Sequence, residues 1–395
     1  MTDAFDLNLR HLRLLVAIEE SGSVSAVARA ASISQPALTQ ALGGLERAFG
    51  ATLFHRSAAG VVATTDGQRI ILRVRRALNH LARACRNLGR VPTGVPLESY
   101  LTMAHVRGLT ALAESGGFTR AAEAVGISPP SLHRAVRDIE RVAGASLVER
   151  KGRGVELTRS GERLARRFLI ALTELAAAME EARHVGGRLA IGAMALSRSL
   201  LLPATLANLL ESTPDVEVDV IEGSYLELVE LLRSGRIDLL IGALRDRPAA
   251  DLLQERLFDD NLTIIGRAEH PLAGTVAGFE QLAAYPWIVS RRASSLLDRW
   301  QKMFDRSGKA RPKAPIQCGS VALIRGVLAR SDFLTLLSTA QVSAEIDAGT
   351  LVRIESEVPD TPRTIGVISR RDWFPTKLQS EFVACLRQTA LRQVA

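Results

Sequence analysis

The feature that most constrains this chain is an internal repeat. Sliding the sequence by 94 positions lays residues 11–72 on residues 105–166 without a gap, with 25 identities in 62 positions. Glu20-Ser21-Gly22 meets Glu114-Ser115-Gly116, and Ile33-Ser34 meets Ile127-Ser128. Further along, Glu46-Arg47 meets Glu140-Arg141, and Gly60-Val61 meets Gly154-Val155. A repeat has to be read first because it decides how many folding units there are. Only two copies occur, each with its own turns and apolar pattern, which argues for two small domains rather than a solenoid.

Each copy reads as three helices followed by a two-stranded hairpin. In the first, Leu12, Leu15 and Ala17-Ile18 keep helical spacing up to a break at Ser21-Gly22. Ser23 can cap a second helix carrying Val27 and Ala30-Ala31, because its hydroxyl accepts from an unpaired first-turn N–H. Ser34 does the same for a third helix with Pro36 in its first turn, where a missing N–H costs little. Leu38, Leu42 and Leu45 recur at steps of three and four and turn inward, which leaves Gln35, Thr39 and Gln40 on a polar outer face. Leu53 to Arg56 and Val61 to Thr64 bracket a turn at Gly60 and suit a β-wing.

This order is that of a winged helix-turn-helix, whose third helix can enter the major groove of double-stranded DNA. Backbone N–H groups at the start of that helix favour phosphate, and side chains in its first turns reach base edges. The candidate DNA contacts of the first copy are Ser34, Gln35, Pro36, Thr39, Gln40 and Arg56. Those of the second are Ser128, Pro129, Pro130, Ser131, His133, Arg134, Arg137, Arg150, Lys151 and Arg153. The competing reading is a three-helix module used for packing, dimerisation or protein contacts only, in one copy or in both.

The copies differ where they would touch DNA. Gly43-Gly44 lies inside the first recognition helix, at a cost of about 1 kcal/mol per Gly relative to Ala, where the second copy has Arg137-Asp138. The first wing, Ser57 to Gly60, carries no charge, whereas the second reads Arg150-Lys151-Gly152-Arg153-Gly154. Phosphate contacts supply most sequence-independent affinity, so the second copy is expected to grip the backbone harder. Gln and Thr on the first suit base-edge contacts.

Net charge fits a nucleic-acid partner and equally fits Arg-rich helices that are simply soluble. The chain carries +8, with 50 Lys/Arg against 42 Asp/Glu. Residues 1–187 hold 25 basic and 17 acidic residues, and residues 188–395 hold 25 of each, so the whole excess lies in the first half. A basic half joined to a neutral half fits a nucleic-acid-binding module attached to something else. Aromatic residues make up 4%, too few for a platform that stacks single-stranded bases. No apolar run approaches the length of about 18 residues that a membrane helix needs. Cys85, Cys318 and Cys385 are too far apart to suggest a metal cluster or a disulfide framework, and no cofactor is implied. The opening Met1 to Asp6 holds two Asp residues and no basic-then-apolar leader, so a cytoplasmic location is expected.

At the third helix and wing the chain resembles the LysR-type transcriptional regulators. The resemblance rests on residues 32–47, Ser-Ile-Ser-Gln-Pro-Ala-Leu-Thr-Gln-Ala-Leu-Gly-Gly-Leu-Glu-Arg, followed by Gly50, Leu53-Phe54, Arg56, Thr64 and Gly67. The second copy is more divergent but keeps Glu140, Gly144, Leu147, Arg150, Thr158 and Gly161. Two such domains in one chain depart from the single one usual in that family.

A long helical stretch follows each wing. Ile70, Val74, Ala77, Leu81, Ala84 and Leu88 form a heptad seam, with Arg69, Arg73, Arg75, Arg76, Arg83 and Arg86 off it and within reach of phosphate. Ala165, Phe168, Leu172, Leu175, Met179 and Ala182 repeat the logic. Each stripe either packs on its own winged domain or pairs with another helix. The resemblance implies that the second joins two subunits, giving a homodimer or homotetramer. Cys85, beside the first seam, is read as a buried apolar residue rather than a redox sensor. Pro92, Gly94 and Pro96 mark a connector, and Gly186-Gly187 marks the end of the basic half.

From Arg188 onward strand-like and helix-like segments alternate, which is the pattern of α/β architecture. Strands are expected at 189–193, 216–221, 237–243, 264–266, 287–290, 316–318, 333–337 and 364–369, with a closing helix over 375–392. Hydroxyls stand after several of them: Ser197, Ser224, Ser290 and Ser320. Each reads as a helix cap or as a ligand contact, since open α/β sheets bind ligands at strand C-terminal ends. The segment resembles the effector-binding domain of LysR-type regulators, including Ser234-Gly235-Arg236-Ile237-Asp238. That resemblance implies a periplasmic-binding-protein-like pair of hinged subdomains and puts the four serines in the cleft between them. Ala193-Met194-Ala195-Leu196 is more apolar than the polar loop often found there, while Arg291 and Arg292 offer either a carboxylate site for a small organic acid or a solvated basic pair.

The expected fold is therefore α/β overall: a winged domain over 8–66, a linker helix and connector over 67–98, a second winged domain over 99–160, a second linker helix over 161–187, and an effector domain over 188–395. Within the last, subdomain I takes about 188–267 and 345–395, and subdomain II about 268–344. No P-loop, GxSxG, HExxH or dinucleotide fingerprint occurs, and the seven His are scattered, so an enzyme on this fold is the remote alternative.

Overall fold

The computed structural model describes residues 4–394 apart from 58–59, 87, 89–95, 152–153, 184–186, 291–294, 309 and 358–360. The chain forms two compact units, one built mainly from residues 1–187 and one from residues 188–395. The connector residues Pro92 and Gly94, together with Gly186, Arg153, Arg291 and Arg292, lie outside the described residues.

In the first unit the repeat keeps its boundaries to the residue up to the start of the last helix. The first copy runs α1 (Leu9–Ser21), α2 (Val24–Ala30), α3 (Gln35–Phe49), β1 (Phe54–Ser57), β2 (Gly60–Ala63) and α4 (Thr65–Cys85). The second runs α5 (Met103–Ser115), α6 (Phe118–Ala124), α7 (Pro129–Ala143), β3 (Val148–Lys151), β4 (Gly154–Leu157) and α8 (Arg159–Arg183). Residues identical in both copies hold this frame. Glu46 Oε1 accepts from the Leu53 N–H at 2.8 Å, and Glu140 Oε1 from the Leu147 N–H at 2.8 Å, which ties each third helix to its wing. A Cβ at Gly67 would come within 2.1 Å of the Leu53 carbonyl oxygen, and one at Gly161 within 2.1 Å of that of Leu147. Only glycine lets the linker helix approach the wing so closely.

The two long helices pack against each other. Val74, Ala77 and Leu81 of α4 are buried in one core with Phe168, Leu172 and Leu175 of α8. Arg73 Nη1 reaches Glu174 at 2.9 Å and its Nη2 reaches Glu181 at 2.8 Å, while Arg167 Nη1 donates to His80 Nδ1 at 3.4 Å. Numbers rise on one helix as they fall on the other, so the pair is antiparallel. This corrects two expectations. The stripe of α8 is not open to a second subunit, because α4 of the same chain covers it. Nor do Arg73, Arg75 and Arg76 extend toward phosphate: Arg73 is 2% exposed, Arg76 pairs with Glu174, and Arg75 pairs with Glu19 and Glu20.

The second unit is a nine-stranded mixed sheet with helices around it. Its first part is β5 (Gly187–Ala193), α9 (Ala195–Leu200), α10 (Leu202–Ser212), β6 (Val216–Glu222), α11 (Tyr225–Ser234) and β7 (Leu239–Ala243). Strand β8 (Leu252–Arg267) then crosses to α12 (Phe279–Ala283), β9 (Trp287–Val289), α13 (Ser295–Ser307), β10 (Ile316–Gln317), α14 (Val321–Leu328), β11 (Leu334–Ser338), α15 (Ser343–Asp347) and β12 (Leu351–Arg353). Strand β13 (Thr361–Arg370) returns, and α16 (Lys377–Val394) closes the chain on α10. The strand order is β10-β9-β11-β8-β13-β7-β5-β6, with β12 on β8. One core gathers Leu189, Ile191, Phe258 and Phe382, and another Trp287, Trp300, Phe304 and Ile354.

Two details differ from expectation. The crossing strand β8 spans 16 residues, whereas alternation marks only 264–266, because Glu255, Arg256, Asp259 and Asp260 interrupt the apolar pattern where the strand runs between the two halves. Strand β12 pairs with the far end of β8, and Leu351 and Ile354 lie in cores of the second half. The return to the first half is thus made by β13, later than residue 345.

Candidate DNA interface and effector cleft

The two recognition helices are built alike at their starts. Ser34 Oγ accepts from the Ala37 N–H at 3.3 Å, and Ser128 Oγ from the Ser131 N–H at 3.3 Å, each with proline in the first turn. On α3, Leu38, Leu45 and Phe49 are buried while Ser34, Gln35, Pro36, Thr39 and Gln40 are exposed. Gln35, Pro36, Thr39, Gln40, Gly43 and Arg47 line a shallow groove of about 580 Å³. Ser25 Oγ donates to Gln35 Oε1 at 3.0 Å, which ties the start of α3 to α2. Arg56 stands on β1 opposite Val61.

On α7, Leu132, Val136 and Ile139 are buried, while Ser128, Pro129, Pro130, Ser131, His133, Arg134 and Arg137 are exposed. His133 stacks on Phe118 with ring centroids 3.6 Å apart, which fixes it at the edge where α6 meets α7. Arg137 contacts Glu140 at 3.4 Å yet stays 74% exposed. In the second wing Arg150 is exposed, and Lys151 pairs with Glu156 across the hairpin at 2.7 Å. Glu149 and Glu156 therefore offset part of the basic wing, a feature that a count of Arg and Lys alone misses.

In the second unit the four serines separate. Ser197 is fully buried, and its hydroxyl bonds the carbonyls of Met194 and Ile241 at 2.7 and 2.9 Å. It locks β5 to β7 and is not placed to touch an effector, which corrects that expectation. Ser224 and Ser320 are exposed and cap α11 and α14, accepting from Glu227 N and Leu323 N. Ser290 follows β9 and is half-buried.

The register locates a further group. β9, β10 and β11 are parallel and end at Val289, Gln317 and Ser338. β5 and β7 are parallel and end at Ala193 and Ala243. Ser338 stands opposite Leu262 of β8, and Ala243 opposite Ile365 of β13. Both sets of C-terminal ends thus meet the same stretch of the crossing strands, where Asp260 faces Arg363. Arg363 Nε donates to Asp260 Oδ2 at 2.6 Å, and Ser338 Oγ to Asp260 Oδ1 at 2.5 Å. Among the described residues, Arg363 Nη2 is buried without a hydrogen-bond partner. Burial lowers the pKa of Arg363, Asp260 opposes that, and Arg299 adds to it. Sequence reading missed this pair because its members lie 103 residues apart. Asp238, in the Ser-Gly-Arg-Ile-Asp segment, is buried instead as a structural acceptor for Ala190 N, and desolvation raises its pKa.

Burial also settles Cys85. Desolvation, helped by Glu98 and opposed by Arg13, pushes its thiol up to about 12, so it is not a thiolate at neutral pH. Among the described residues no helix is long and apolar enough to cross a membrane.

Known proteins share these domains. The family described as "Bacterial regulatory helix-turn-helix protein, lysR family" matches residues 9–68 and again 103–162, and "LysR substrate binding domain" matches 182–391. The HTH-type transcriptional regulator GalR of Pseudomonas putida is 30% identical over 392 residues, 98% of each chain. The regulator PcaQ of Agrobacterium fabrum is 28% identical over 72% of this chain and 94% of its own. Full-length OxyR of Pseudomonas aeruginosa (TM-score 0.55, 20% identity) covers 74% of this chain and 95% of its own. Full-length LysG of Corynebacterium glutamicum, solved with bound effector Arg, gives a TM-score of 0.56 at 19% identity over 73% and 97%. These two structures show the fold. The named relatives are transcriptional regulators, not enzymes, and regulators of this kind bind DNA and small-molecule effectors and act as oligomers. With two helix-turn-helix matches and one effector-domain match in a single sequence, the chain belongs to the LysR family of transcriptional regulators.

Proposed function

We propose that both winged domains contact promoter DNA in the cytoplasm, with unequal duties, and that the second unit responds to a small organic anion. The observation carrying the first part is that α3 and α7 each expose a polar outer face while burying the opposite one. Gln40 and Thr39 suit base edges, and Arg134, Arg137 and Arg150 suit phosphate and guanine. Replacing Arg134, Arg137 and Arg150 by Ala is expected to weaken binding to all sequences and to make the salt slope shallower by about 0.9 for each phosphate left un-neutralised. Replacing Thr39 and Gln40 by Ala is expected to change which sequences are selected. Selection and salt titration of full-length chains check both, and an unaltered profile in either variant refutes a DNA role for that domain.

The effector reading rests on Arg363. A carboxylate at Nη2 would supply the hydrogen bond that this atom lacks and a second counter-charge beside Asp260, with Ser290 and Ser320 at neighbouring strand ends. An effector acts only by binding one arrangement of the subdomains better than another. Calorimetric titration with a panel of small mono- and dicarboxylates is expected to find one whose binding is abolished in Arg363→Met. Binding retained in that variant overturns the assignment.

A further inference from the structure

The contacts between the two copies are exchanged in pairs. Position 73 corresponds to 167 and position 80 to 174 across the repeat. Arg73 meets Glu174, and Arg167 meets His80, so the same two positions face each other twice. A second exchange lies at the first helices. Arg13 of α1 donates to the carbonyl of Glu98 in the turn Leu97–Tyr100. Its counterpart Arg107 of α5 lies over the ring of Phe5, in the turn Ala4–Asp6, at 5.3 Å. If i meets j and j meets i, the relation is that of a two-fold dimer. Here it is made within one chain.

The pairing is also heterotypic. The first copy supplies Arg73 and Arg76, and the second supplies Glu174 and Glu181. In the first copy the positions matching Glu174 and Glu181 are His80 and Asn87. Two first copies facing each other would therefore leave Arg73 a buried cation without a carboxylate. Two second copies facing each other would strip the cover from Ile70, Val74, Ala77 and Leu81, each at most 1% exposed. Only residues 86–96 separate α4 from the turn that opens the second copy. A short tether gives an effective concentration on the order of millimolar, which favours pairing within the chain.

The frame is symmetric but the reading faces are not. Thr39 corresponds to His133, Gln40 to Arg134 and Gly43 to Arg137. We propose that one chain is a complete two-headed DNA reader, which binds an operator of two unlike half-sites in a single fixed orientation. The proposal rests on the reading that both winged domains touch DNA. Any assembly of several chains then forms through surfaces other than the α4–α8 pair, and each added chain brings two more heads.

Selection of random duplex DNA by the full-length chain tests this, with the mass of the selected complex giving chains per site. The expected site has two different motifs in fixed order and spacing, each site held by one paired set of heads from one chain. Inserting half a helical turn between the motifs is expected to lower affinity about 100-fold. The variant Thr39→His, Gln40→Arg, Gly43→Arg changes exposed or half-exposed positions only. It is expected to select an inverted repeat of the motif that the second head reads. If the unaltered chain already selects an inverted repeat, or if α4 pairs with α8 of another chain, as disulfide cross-linking of His80→Cys with Arg167→Cys between chains of two lengths would show, the proposal is overturned. A single motif indifferent to changes in one head would instead overturn the underlying reading that both heads bind.

Discussion

Arg73 of α4 and Glu174 of α8 lie 101 residues apart in sequence and 2.9 Å apart in space, both buried. Glu181 takes the other arm of the same guanidinium, and Glu174 also holds Arg76. Their hydrogen bonds hold the Arg73 pKa above its ordinary value even though burial pulls it down. Removing Glu174 leaves the buried Arg73 with Glu181 as its remaining carboxylate partner, so Glu174→Met is expected to cost about 2–3 kcal/mol in chemical unfolding of the full chain. Arg73→Met combined with Glu174→Met should recover most of that stability. A single variant within 1 kcal/mol of the parent, on the order of a surface change, contradicts the account.

Gly67 and Gly161 offer a matched pair of tests. Each sits where a Cβ would strike a backbone carbonyl at 2.1 Å, and backbone cannot step aside as a side chain can. Gly67→Ala and Gly161→Ala are each expected to destabilise by about 1–3 kcal/mol and to displace the adjacent wing. Equal destabilisation in the two copies would show that the repeat preserves one construction, and a neutral outcome in either would contradict the close approach.

His105 makes the start of α5 sensitive to acid. Its Nδ1 accepts from the Thr102 N–H at 3.2 Å, which only a neutral ring can do, and burial lowers its pKa below 6.5, with Asp138 opposing. The unfolded chain therefore takes up this proton first as pH falls. The stabilisation is complete above about 6.5 and fades as pH drops toward the lower folded value. His270 shifts in the same direction through burial, so the two add. Tm measured from pH 8 to pH 5 should fall less steeply in His105→Gln, which keeps an N3 acceptor without titrating there. An unchanged slope would remove His105 from the explanation.

Cys85 is expected to resist thiol reagents at pH 8, since its thiol is buried and pushed up to about 12. Cys318 and Cys385 are partly exposed and should react in the folded chain. Counting reactive thiols before and after denaturation checks this: two should become three. Rapid modification of Cys85 in the native protein would show that the α1–α4 core opens readily.

Much of this protein is written locally. Ser34 and Ser128 start the recognition helices, Gly50 and Gly144 stop them, and the spacing of Leu38, Leu42 and Leu45 decides which face turns inward. Those signals act within a few residues, so the two winged frames and their displacement by 94 were legible from the sequence, as was the alternation of strands and helices after Arg188. A heptad stripe, by contrast, states that a face must be covered and not by what. Only the packing of the chain shows that α4 covers α8, and it turns Arg73, Arg75 and Arg76 from candidate phosphate contacts into ion pairs with Glu19, Glu20, Glu174 and Glu181. The same holds for Ser197 and Arg363. A hydroxyl after a strand reads alike whether it caps, locks or binds, and an arginine 103 residues from its aspartate carries no local sign of it. Local sequence fixes elements because helix caps and apolar periodicity are short-range. Contacts between elements depend on which surfaces the whole chain leaves uncovered, and that is decided in three dimensions.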